Sequence, residues 1–477
     1  MELQEIFTEG RSINDIISDL KEKDVEVTPW SKLSKEYIPS KHEIMTDKIT
    51  RKDKIHKSGT VEKVARVTYG SQRMYSRRMT QMAFSIPVER LYDTVKDDEK
   101  KAIADAIEKI YKGVRIDAVN TRRWHAYFAS CEVLTIWYAV KSPNEEYGFK
   151  SEYKLRCMSY SPMDKKHSRI EQAELYPLFD GVDLIAMSIE YTKKEKDEAS
   201  KRTKTVQYFE CYTSKKHYVW KKDNNDWVEV KAEDIVLLKI PGVYQWRPLP
   251  IWEDATNNTK EIEYTLSRQS DIIRKNSAPI LKIKGKLLNP NDRPESDIAR
   301  EVYQMEGDNS DINYVTWQQQ VEATKFYTEI LKKNMDEELQ LPNLSLENTK
   351  GLGVMSGEAR RTLLTDAHLK VGEESGDIIE FLDRECKVIK KFLELMNTKW
   401  SGKTSSINVI HKITPFIQND EDAEIGKIAK ATGGEQIASR RTAIKRLAWV
   451  KDVEEENALI EKEQAAKNIT DVFEPTE

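Results

Sequence analysis

The sequence predicts an α+β fold that is divided into more than one domain. Apolar residues recur at every second position between Cys131 and Val230, which is typical of half-buried β-strands. The regions before and after this stretch show mainly the spacing of amphipathic helices, so helices and strands are expected to segregate. At 477 residues the chain is also longer than one ordinary hydrophobic core supports.

The composition argues against several classes of protein. No run of about 18 apolar residues occurs, so no membrane helix is expected, and the first residues lack the basic start and apolar core of a secretory signal. A net charge of −4 argues against a chain that grips DNA through bulk positive charge. Four cysteines lie far apart and match no metal-binding spacing, which predicts structural thiols in a reducing compartment. They are Cys131, Cys157, Cys211 and Cys386.

The N-terminal part of the chain is polar at first and then basic. Residues 1–55 are rich in charge, which predicts an arm with short helices and some disorder. In Val61–Ile86, basic residues alternate with aromatic residues and methionines. Such a segment either contacts nucleic acid or forms a helix that buries its aromatic residues and exposes its arginines, and we favour the helix.

The next 140 or so residues should contain two helices followed by strands. Asp97 or Asp98 is placed to cap a helix that ends at Gly113, and a second helix covers Asp117–Ala129. Turn residues at Asp180-Gly181 and Asn224-Asn225-Asp226 indicate hairpins. The predicted strands are Leu134–Val140, Glu152–Tyr160, Leu184–Thr192, Thr205–Tyr212, Tyr218–Lys221 and Trp227–Val230.

A helix, a strand pair and a second helix follow. Asp254–Asn276 has helical spacing, with Ile262, Leu266, Ile272 and Ile273 expected to point inward. Strands are predicted at Pro279–Lys286 and Ile312–Trp317, with a short helix at Ser296–Met305 between them. In the first strand Lys282, Lys284 and Lys286 alternate with apolar residues. These lysines either meet an acidic partner or DNA, or they protect an exposed strand edge, and the pattern does not decide between these.

The second helix, Val321–Leu341, leads into a polar loop and then into a very long helix. Pro342 ends the first of these, and Ser356 is placed to cap the long one. Gly372 and Gly376 lie inside the long helix and predict a kink there. Its expected buried stripe is Leu363, Ala367, Val371, Ile378, Leu382, Ile389, Leu393 and Met396.

The C-terminal part predicts a strand at Ile407–Pro415 and a helix at Asp420–Ala431 that is broken at Gly433-Gly434. The tail, Lys451–Glu477, holds nine acidic residues and three lysines, which is typical of a solvated helix followed by a frayed terminus.

Motifs that would carry chemistry are weak or missing from the sequence. Ser401-Gly402-Lys403-Thr404 ends like a phosphate-binding loop, but that motif needs glycine at position 397, where this chain has Asn. We therefore predict a surface turn there. The acidic run Asp420–Glu424 is better explained as a helix start than as a cation site. His368, on the long helix, is expected to lie near a subunit contact or to pack in the core. No catalytic residue, metal site or cofactor is predicted.

The order of these segments resembles the portal (head-to-tail connector) proteins of tailed phages. The resemblance rests on the helix before Pro342-Asn-Leu-Ser345, the mobile loop, and Ser356-Gly-Glu-Ala359 opening a long kinked helix. It extends to Ile240–Trp246, which is similar to the family's turn from wing to stem, and to the C-terminal segments Ile437–Ile444 and Trp449–Glu456. Residues 1–55 have no counterpart in this comparison.

The resemblance implies a mixed α/β wing, a two-helix stem, a small strand-containing clip, a long kinked helix with a channel loop, and a helical crown. Residues 1–55 would form an N-terminal arm, 56–250 and 357–430 the wing with the kinked helix, and 251–278 and 321–341 the stem. Residues 279–320 would form the clip, 342–356 the channel loop and 431–477 the crown. The loop residues expected to line the bore and touch DNA are Asn343, Ser345, Asn348, Thr349, Lys350, Gly351 and Gly353.

The function that the resemblance implies is a closed ring, expected to be a dodecamer, at one vertex of a viral capsid. It would assemble in the host cytoplasm, dock the terminase, meet the major capsid or scaffolding protein, and pass double-stranded DNA in packaging and ejection. Lys282, Lys284 and Lys286 would meet a head-completion (adaptor) protein at the clip. The alternatives are a metal-dependent nucleic-acid enzyme and a monomeric adaptor or scaffold protein that forms no channel.

Overall fold

The structure is a computed structural model that describes ten segments of the chain. These are residues 3–57, 59–93, 97–196, 203–276, 280–287, 305–315, 321–343, 364–416, 439–446 and 453–471. The chain divides into two compact units, and both helices and strands occur in the first, as expected for an α+β protein. Unit 1 is Met1–Pro342 with Asp366–Phe416, and unit 2 is Asn343–Thr365 with Ile417–Glu477.

Short helices at the N-terminus of the chain pack into the core of unit 1. Ser12 caps the second of them by accepting a hydrogen bond from the amide of Asp15. Ile6, Ile17 and Leu20 are buried and pack in one cluster with strand residues of unit 1. The expected short helices are therefore confirmed, and the expectation of disorder is wrong for these residues. The helices are α1 (Leu3–Ile6), α2 (Ile13–Leu20), α3 (Trp30–Tyr37) and α4 (Glu43–Thr46).

Four helices follow in unit 1. Tyr75 and Met79 are buried on the first, which confirms the predicted helix and its buried aromatic side. The expectation that its arginines are exposed holds for Arg77 but is wrong for Arg73 and Arg78, which are half-buried. Asp97 caps the next helix by accepting from the amides of Glu99 and Lys100, and Arg115 ends it in the left-handed region at φ 54°. The helices are α5 (Ser71–Phe84), α6 (Asp98–Val114), α7 (Ile116–Ser130) and the short α8 (Lys165–Ser168).

Unit 1 contains a five-stranded sheet with the order β11-β10-β9-β8-β7 and a four-stranded sheet with the order β12-β4-β5-β6. All six strands predicted between Cys131 and Val230 are present, and each is longer than expected. Both predicted hairpin turns are confirmed, since Asp180 pairs with Asp183 and Asp223 with Asp226. The strands are β4 (Glu132–Asn144), β5 (Ser151–Ser161), β6 (Glu171–Gln172), β7 (Glu174–Asp180), β8 (Asp183–Lys196), β9 (Thr203–Thr213), β10 (Lys216–Asp223), β11 (Asp226–Asp234) and β12 (Gly242–Trp246).

Three parts of these sheets differ from the sequence prediction. One is the two-residue strand β6, which was not predicted. Strand β7 was not predicted, because its alternation is interrupted by Pro177. Ile240–Trp246 was expected to be a turn that leaves the sheet region. Instead β12 pairs antiparallel with β4, from Gly242 opposite Ile136 to Trp246 opposite Glu132, so the chain leaves the sheet after Trp246.

The remaining elements of unit 1 include two long helices flanking a hairpin and one longer helix. Helix α9 (Thr256–Asn276) is followed by β13 (Ile280–Leu287), β14 (Met305–Val315) and helix α10 (Val321–Glu338). Strand β14 begins earlier than predicted, and Met305 belongs to it rather than to the short helix expected at Ser296–Met305; residues 288–304 lie outside the described ranges. Helix α11 (Thr365–Met396) begins in unit 2 at Thr365 and continues through unit 1.

Short strands complete the described part of unit 1. Strand β15 (Val409–Lys412) lies within the predicted Ile407–Pro415 and pairs with β3 (Glu89–Tyr92), while β1 (Lys54–Ile55) pairs with β2 (Val61–Glu62).

The described part of unit 2 contains helices α12 (Arg440–Arg446) and α13 (Val453–Asp471). Residues 453–463 are exposed or half-buried, in agreement with a solvated helix in the tail. The predicted cap Ser356 and the predicted helix Asp420–Ala431 with its break at Gly433-Gly434 lie outside the described residues.

A buried ion pair joins α7 to the long helix α11. The guanidinium of Arg123 donates two hydrogen bonds to the carboxylate of Glu385, at 2.6 and 2.9 Å, and both side chains are fully buried. The indole of Trp137 donates to the same carboxylate at 3.0 Å. Burial opposes the charge on Arg123, but the carboxylate of Glu385 outweighs it and the pKa of the guanidinium is raised. Arg123 therefore remains charged inside the core.

Replacing Glu385 with glutamine should destabilise unit 1 by about 3–5 kcal/mol, because Arg123 would remain as a buried charge without its counterion. The matched control is Glu380→Gln on the same helix, where the pair with Arg384 is exposed to solvent and is expected to contribute less than about 1 kcal/mol. Urea-induced unfolding followed by tryptophan fluorescence measures both changes. Equal losses in the two variants would contradict the role given to Glu385.

Candidate functional site

Helices α9 and α10 form an antiparallel pair. Near the start of α9, Asn258 Nδ2 donates to Glu338 Oε2 at the end of α10 over 3.1 Å. Ile262 of α9 and Met335 of α10 are fully buried, and Thr259 contacts the sulfur of Met335 at 3.5 Å. The end of α10 therefore lies beside the start of α9.

The same helix pair leaves a row of apolar side chains in contact with solvent. On α10, Phe326 is 67% exposed, Tyr327 42% and Ile330 39%. On α9 the prediction that Ile273 points inward is wrong, because it is 51% exposed, whereas Ile262 is buried as expected. Leu266 and Ile272 of α9 are half-buried. An exposed row of this size on a helix indicates a surface that another molecule covers.

Charges on α10 leave its surface acidic. Two of its three lysines lie beside acidic residues of α10 itself, Lys325 at 4.0 Å from Glu329 and Lys333 at 3.5 Å from Glu337, and both pairs are exposed. The third, Lys332, lies 5.4 Å from the ring centre of Tyr69. The helix carries five acidic residues against these three cations, as counted from the sequence. Its field is therefore negative.

One face of α9 is fixed to an extended segment of the chain by a ladder of polar side chains. Glu263, Ser267 and Asp271 occur at every fourth residue of α9, and each accepts from a backbone amide of that segment. A helix rises about 6 Å over four residues and an extended chain about 6.6 Å over two, so the two spacings match. The bonds run from the amides of Tyr69 (2.7 Å), Val67 (2.8 Å) and Ala65 (2.6 Å), in that order.

Residues of the N-terminal region reinforce the ladder at both ends. Nδ1 of His42 lies 2.6 Å from Oε1 of Glu263, and both side chains are 3% exposed. At the other end the guanidinium of Arg51 lies 2.5 Å from Asp271. Helix α9 is thus held by polar contacts to the N-terminal part of unit 1 and also contacts α10, where Tyr327 donates to Glu261 at 3.4 Å.

The basic segment around α5 uses several of its arginines inside unit 1. Arg78 lies 2.7 Å from Asp336 of α10 and also donates to the carbonyl of Leu341. Arg73 donates to the carbonyl of Tyr37, and Arg66 lies 3.0 Å from Asp53. Arg73 and Arg78 contact the ends of other helices and Arg66 joins two non-helical segments, which the sequence pattern did not reveal.

Polar contacts also fix the long helix α11 along its length. Arg247 lies 3.0 Å from Glu374, and Tyr127 donates to Asp377 at 3.1 Å. Further along, Nδ1 of His411 lies 2.7 Å from Asp383. The predicted buried stripe is confirmed from Ala367 to Leu393, while Met396 is half-buried and Leu363 lies outside the described residues.

The predicted channel loop lies mainly outside the described part of the chain. Asn343 is its last described residue before the gap and is half-buried. Ser345, Asn348, Thr349, Lys350, Gly351 and Gly353 lie outside the described residues, so their role stays a prediction. Just before this segment, Arg78 donates a hydrogen bond to the carbonyl of Leu341. After it, α11 begins at Thr365.

Gly372 and Gly376 lie on the exposed side of α11, and the helix is continuous through both. A Cβ atom at either position would have no neighbouring atom within 4 Å. Packing therefore does not require glycine here, and the kink at these positions stays a prediction.

The three lysines of the predicted clip lie on β13. In the register with β14, Lys282 is opposite Asn313, Lys284 is opposite Asp311 and Lys286 is opposite Glu306. A bulge separates Lys284 from Lys286, and Lys284 is exposed. The hairpin thus places acidic residues beside two of these lysines, and contact with a partner stays a prediction.

The structure also shows the surroundings of the residues that the sequence offered for phosphate binding, metal binding or catalysis. Lys403 lies 2.7 Å from Glu99, and Thr404 donates to Glu394 at 2.6 Å, so this segment is a turn after α11 and not a phosphate-binding loop. Within the described residues, no group of three or more His, Cys, Asp or Glu side chains is arranged to hold a metal ion. His368 is half-buried, and its Nε2 lies 3.1 Å from the carbonyl oxygen of Phe416.

The four cysteines are free thiols, three of them buried and Cys157 half-buried. Burial raises the pKa of Cys131, Cys157 and Cys211 to about 12 and that of Cys386 to about 11, so they carry little thiolate at neutral pH. None of the described helices is long and apolar enough to span a membrane.

Replacing Ser267 with alanine should destabilise unit 1 by about 1–3 kcal/mol, because the amide of Val67 would lose its buried acceptor. Ser270→Ala on the same helix is the control, since Ser270 is half-buried and alanine is the better helix former. Chemical denaturation distinguishes the two. If Ser267→Ala were as stable as Ser270→Ala, the ladder would not hold α9.

Two sequence comparisons bear on this arrangement. A family model described as "Phage portal protein, SPP1 Gp6-like" matches residues 26–469, which is nearly the whole chain. No curated protein gives a significant match. Helices α1 and α2 lie before the matched range.

Proposed function

This chain belongs to the SPP1 Gp6-like family of phage portal proteins, and we propose that its copies form a closed ring that passes double-stranded DNA through one vertex of a capsid. The match over residues 26–469 carries this conclusion. The mixed helices and strands of unit 1 are compatible with it. The role is structural, with DNA packaging and ejection as the processes that it serves.

We assign the regions of the ring from the described elements. Helices α9 and α10 would form the stem, and the β13–β14 hairpin between them the clip. The two larger sheets with α5, α6 and α7 would form the wing, which α11 completes. Unit 2, with α12 and α13, would form the crown. What supports this assignment is the order of the elements and the antiparallel pairing of α9 with α10.

The exposed apolar row on α10 supports the ring. A closed ring of identical chains needs one surface of each copy to meet a different surface of the next. Phe326, Tyr327 and Ile330 provide such a surface, because a single chain leaves them in water. A dodecamer is the expected subunit number for this family.

The acidic surface of α10 suits the wall of a channel. DNA that is held through many phosphates would not slide, whereas a negative wall repels it toward the axis. Lys325 and Lys333 each lie beside an acidic residue of the same helix, which reduces the attraction that they offer to phosphates. Repetition around a ring would multiply the negative field by the number of copies.

We infer that the channel loop, and not the acidic surface of α10, makes the few contacts with DNA. Asn348, Thr349 and Lys350 would touch the backbone, and Gly351 and Gly353 would give the loop its freedom. The anchors on either side support this, since Arg78 fixes the carbonyl of Leu341 and Arg123 fixes α11.

Gly372 and Gly376 would let α11 bend as the loop moves. Each glycine costs a helix roughly 1 kcal/mol relative to alanine, and no close neighbour of their Cβ positions excludes alanine. An exposed glycine that packing does not require is consistent with a need for bending.

The partners follow from the portal role. The capsid or scaffolding protein would surround the ring. The terminase would supply the ATP-driven motor, since the segment at Lys403 is not a phosphate-binding loop. A head-completion protein would bind the clip near Lys282, Lys284 and Lys286. Assembly would take place in the host cytoplasm before the ring becomes part of the virion.

Replacing Phe326 and Ile330 with serine should leave the chain folded but weaken ring formation by at least about tenfold, because each buried apolar side chain contributes about 1.5–3 kcal/mol. The control is Val182→Ser with Leu369→Ser, two exposed apolar residues that lie on neither stem helix. Sedimentation velocity measures the assembled fraction. Normal assembly of the α10 variant would exclude this face as the contact.

Deleting residues Thr349 to Gly351 should leave ring assembly unchanged and reduce DNA packaging or retention, because the loop and not the wall contacts DNA. Packaged DNA in particles assembled with the variant measures the effect, and negatively stained images of the purified variant check the ring. If packaging and retention were both normal, the loop assignment would be wrong.

A further inference from the structure

The hairpin formed by β8 and β9 extends past both neighbouring strands of the five-stranded sheet. Strand β7 pairs with β8 no further than Glu190, and β10 pairs with β9 no further than Tyr208. Beyond these points residues 191–196 pair with 203–208, and a stacked pair of rings, Tyr191 and Tyr208, lies at the base. We call residues 191–196 and 203–207 the ribbon. A two-stranded ribbon is marginally stable alone, which favours a partner.

The ribbon is basic although the chain as a whole is acidic. Four lysines of the ribbon are exposed, and within the described residues none of them has an ionic or hydrogen-bonded partner. Its single described acid, Glu195, accepts a hydrogen bond from Tyr208. The four lysines are Lys193, Lys194, Lys196 and Lys204.

Strand β11 at the edge of the same sheet has the opposite charge. It pairs with β10 on one side, and from Val228 to Asp234 every residue is exposed. Val228 is 44% and Val230 51% exposed. The strand carries four acidic residues, Asp226, Glu229, Glu233 and Asp234, against one lysine, Lys231, which lies 2.6 Å from Glu233. A long exposed edge with apolar residues is usually covered in a native assembly.

We propose that the ribbon of one copy binds the exposed β11 strand of the next copy in the ring. This inference rests on the ring of the proposed function and adds a second contact, outside the stem. A contact between identical chains around a ring joins two different surfaces of the same chain. The ribbon and β11 are two different surfaces of this chain, and they have opposite net charges.

The acidity of the chain favours a second copy over nucleic acid as the occupant. Copies of a chain with net charge −4 present acidic surfaces to one another, and the ribbon is a local exception that offsets this repulsion. The apolar side chains of Val228 and Val230 on β11 need a protein surface to cover them. A nucleic acid would satisfy the lysines but leave β11 exposed.

The test is a charge exchange in the full-length protein. One variant reverses the ribbon (Lys193→Glu, Lys194→Glu, Lys204→Glu), a second reverses the edge strand (Glu229→Lys, Glu233→Lys, Asp234→Lys), and a third combines both. The matched control reverses three exposed lysines elsewhere in unit 1, namely Lys32, Lys35 and Lys48. Sedimentation velocity and negatively stained images measure assembly at about 0.1 M and about 1 M salt, and circular dichroism confirms folding.

Either single reversal should weaken association at each interface by at least about tenfold at low salt, and the combined variant should recover to within about threefold of the native chain. The control should stay within about threefold, and high salt should reduce all differences. Unchanged assembly on ribbon reversal, or no recovery in the combined variant, would overturn the proposal while leaving the portal assignment intact. If ribbon reversal instead abolished binding of a short DNA duplex to intact rings, the ribbon would be a nucleic-acid contact and the proposal would fail. A native chain that forms no rings at all would overturn the proposed function itself.

Discussion

The buried pair of Arg123 and Glu385 is the constraint on which the rest of unit 1 depends. It joins residues 262 positions apart in sequence and so fixes α7 against α11. Taking both charges out of water is costly, and two direct hydrogen bonds with a third from Trp137 offset that cost. Such a pair fixes one alignment of α11 against α7, because a shift by one residue would leave a charge buried and unpaired.

Helices α9 and α10 combine a buried apolar contact with polar anchoring and exposed apolar residues. Helix α9 is held to unit 1 through Glu263, Ser267 and Asp271, all of which bond to the extended segment beside it. Helix α10 buries Met335 but exposes Phe326. This arrangement suits a chain that buries its remaining apolar surface on association. The polar contacts fix the direction of α9, and the apolar residues of α10 remain for contact with another copy. The basic ribbon and the acidic β11 strand would form a second contact between copies, in the five-stranded sheet.

The sequence predicted most helices and six strands of the sheets, because their periodicity is local. It failed where long-range partners decide the outcome. Residues Gly242 to Trp246 form a strand because β4 offers an edge, which no local pattern reveals. Ile273 fits an inward helical stripe yet is exposed, because what α9 buries is set by the segment around Val67 and by α10. Likewise Arg78 looked like a solvated arginine until Asp336, far along the chain, was placed beside it. Of the predicted site residues, the clip lysines and the two helix glycines lie on the elements expected, and the loop stays a prediction.

The central claim is that the exposed face of α10 is covered by a neighbouring copy around an axis. A three-dimensional reconstruction of the purified chain by electron cryomicroscopy tests it most directly. We expect a closed ring with an open centre in which α10 helices of adjacent copies lie side by side and the side chain of Phe326 is buried between them. A single compact particle, or a ring in which Phe326 still faces solvent, would contradict the account.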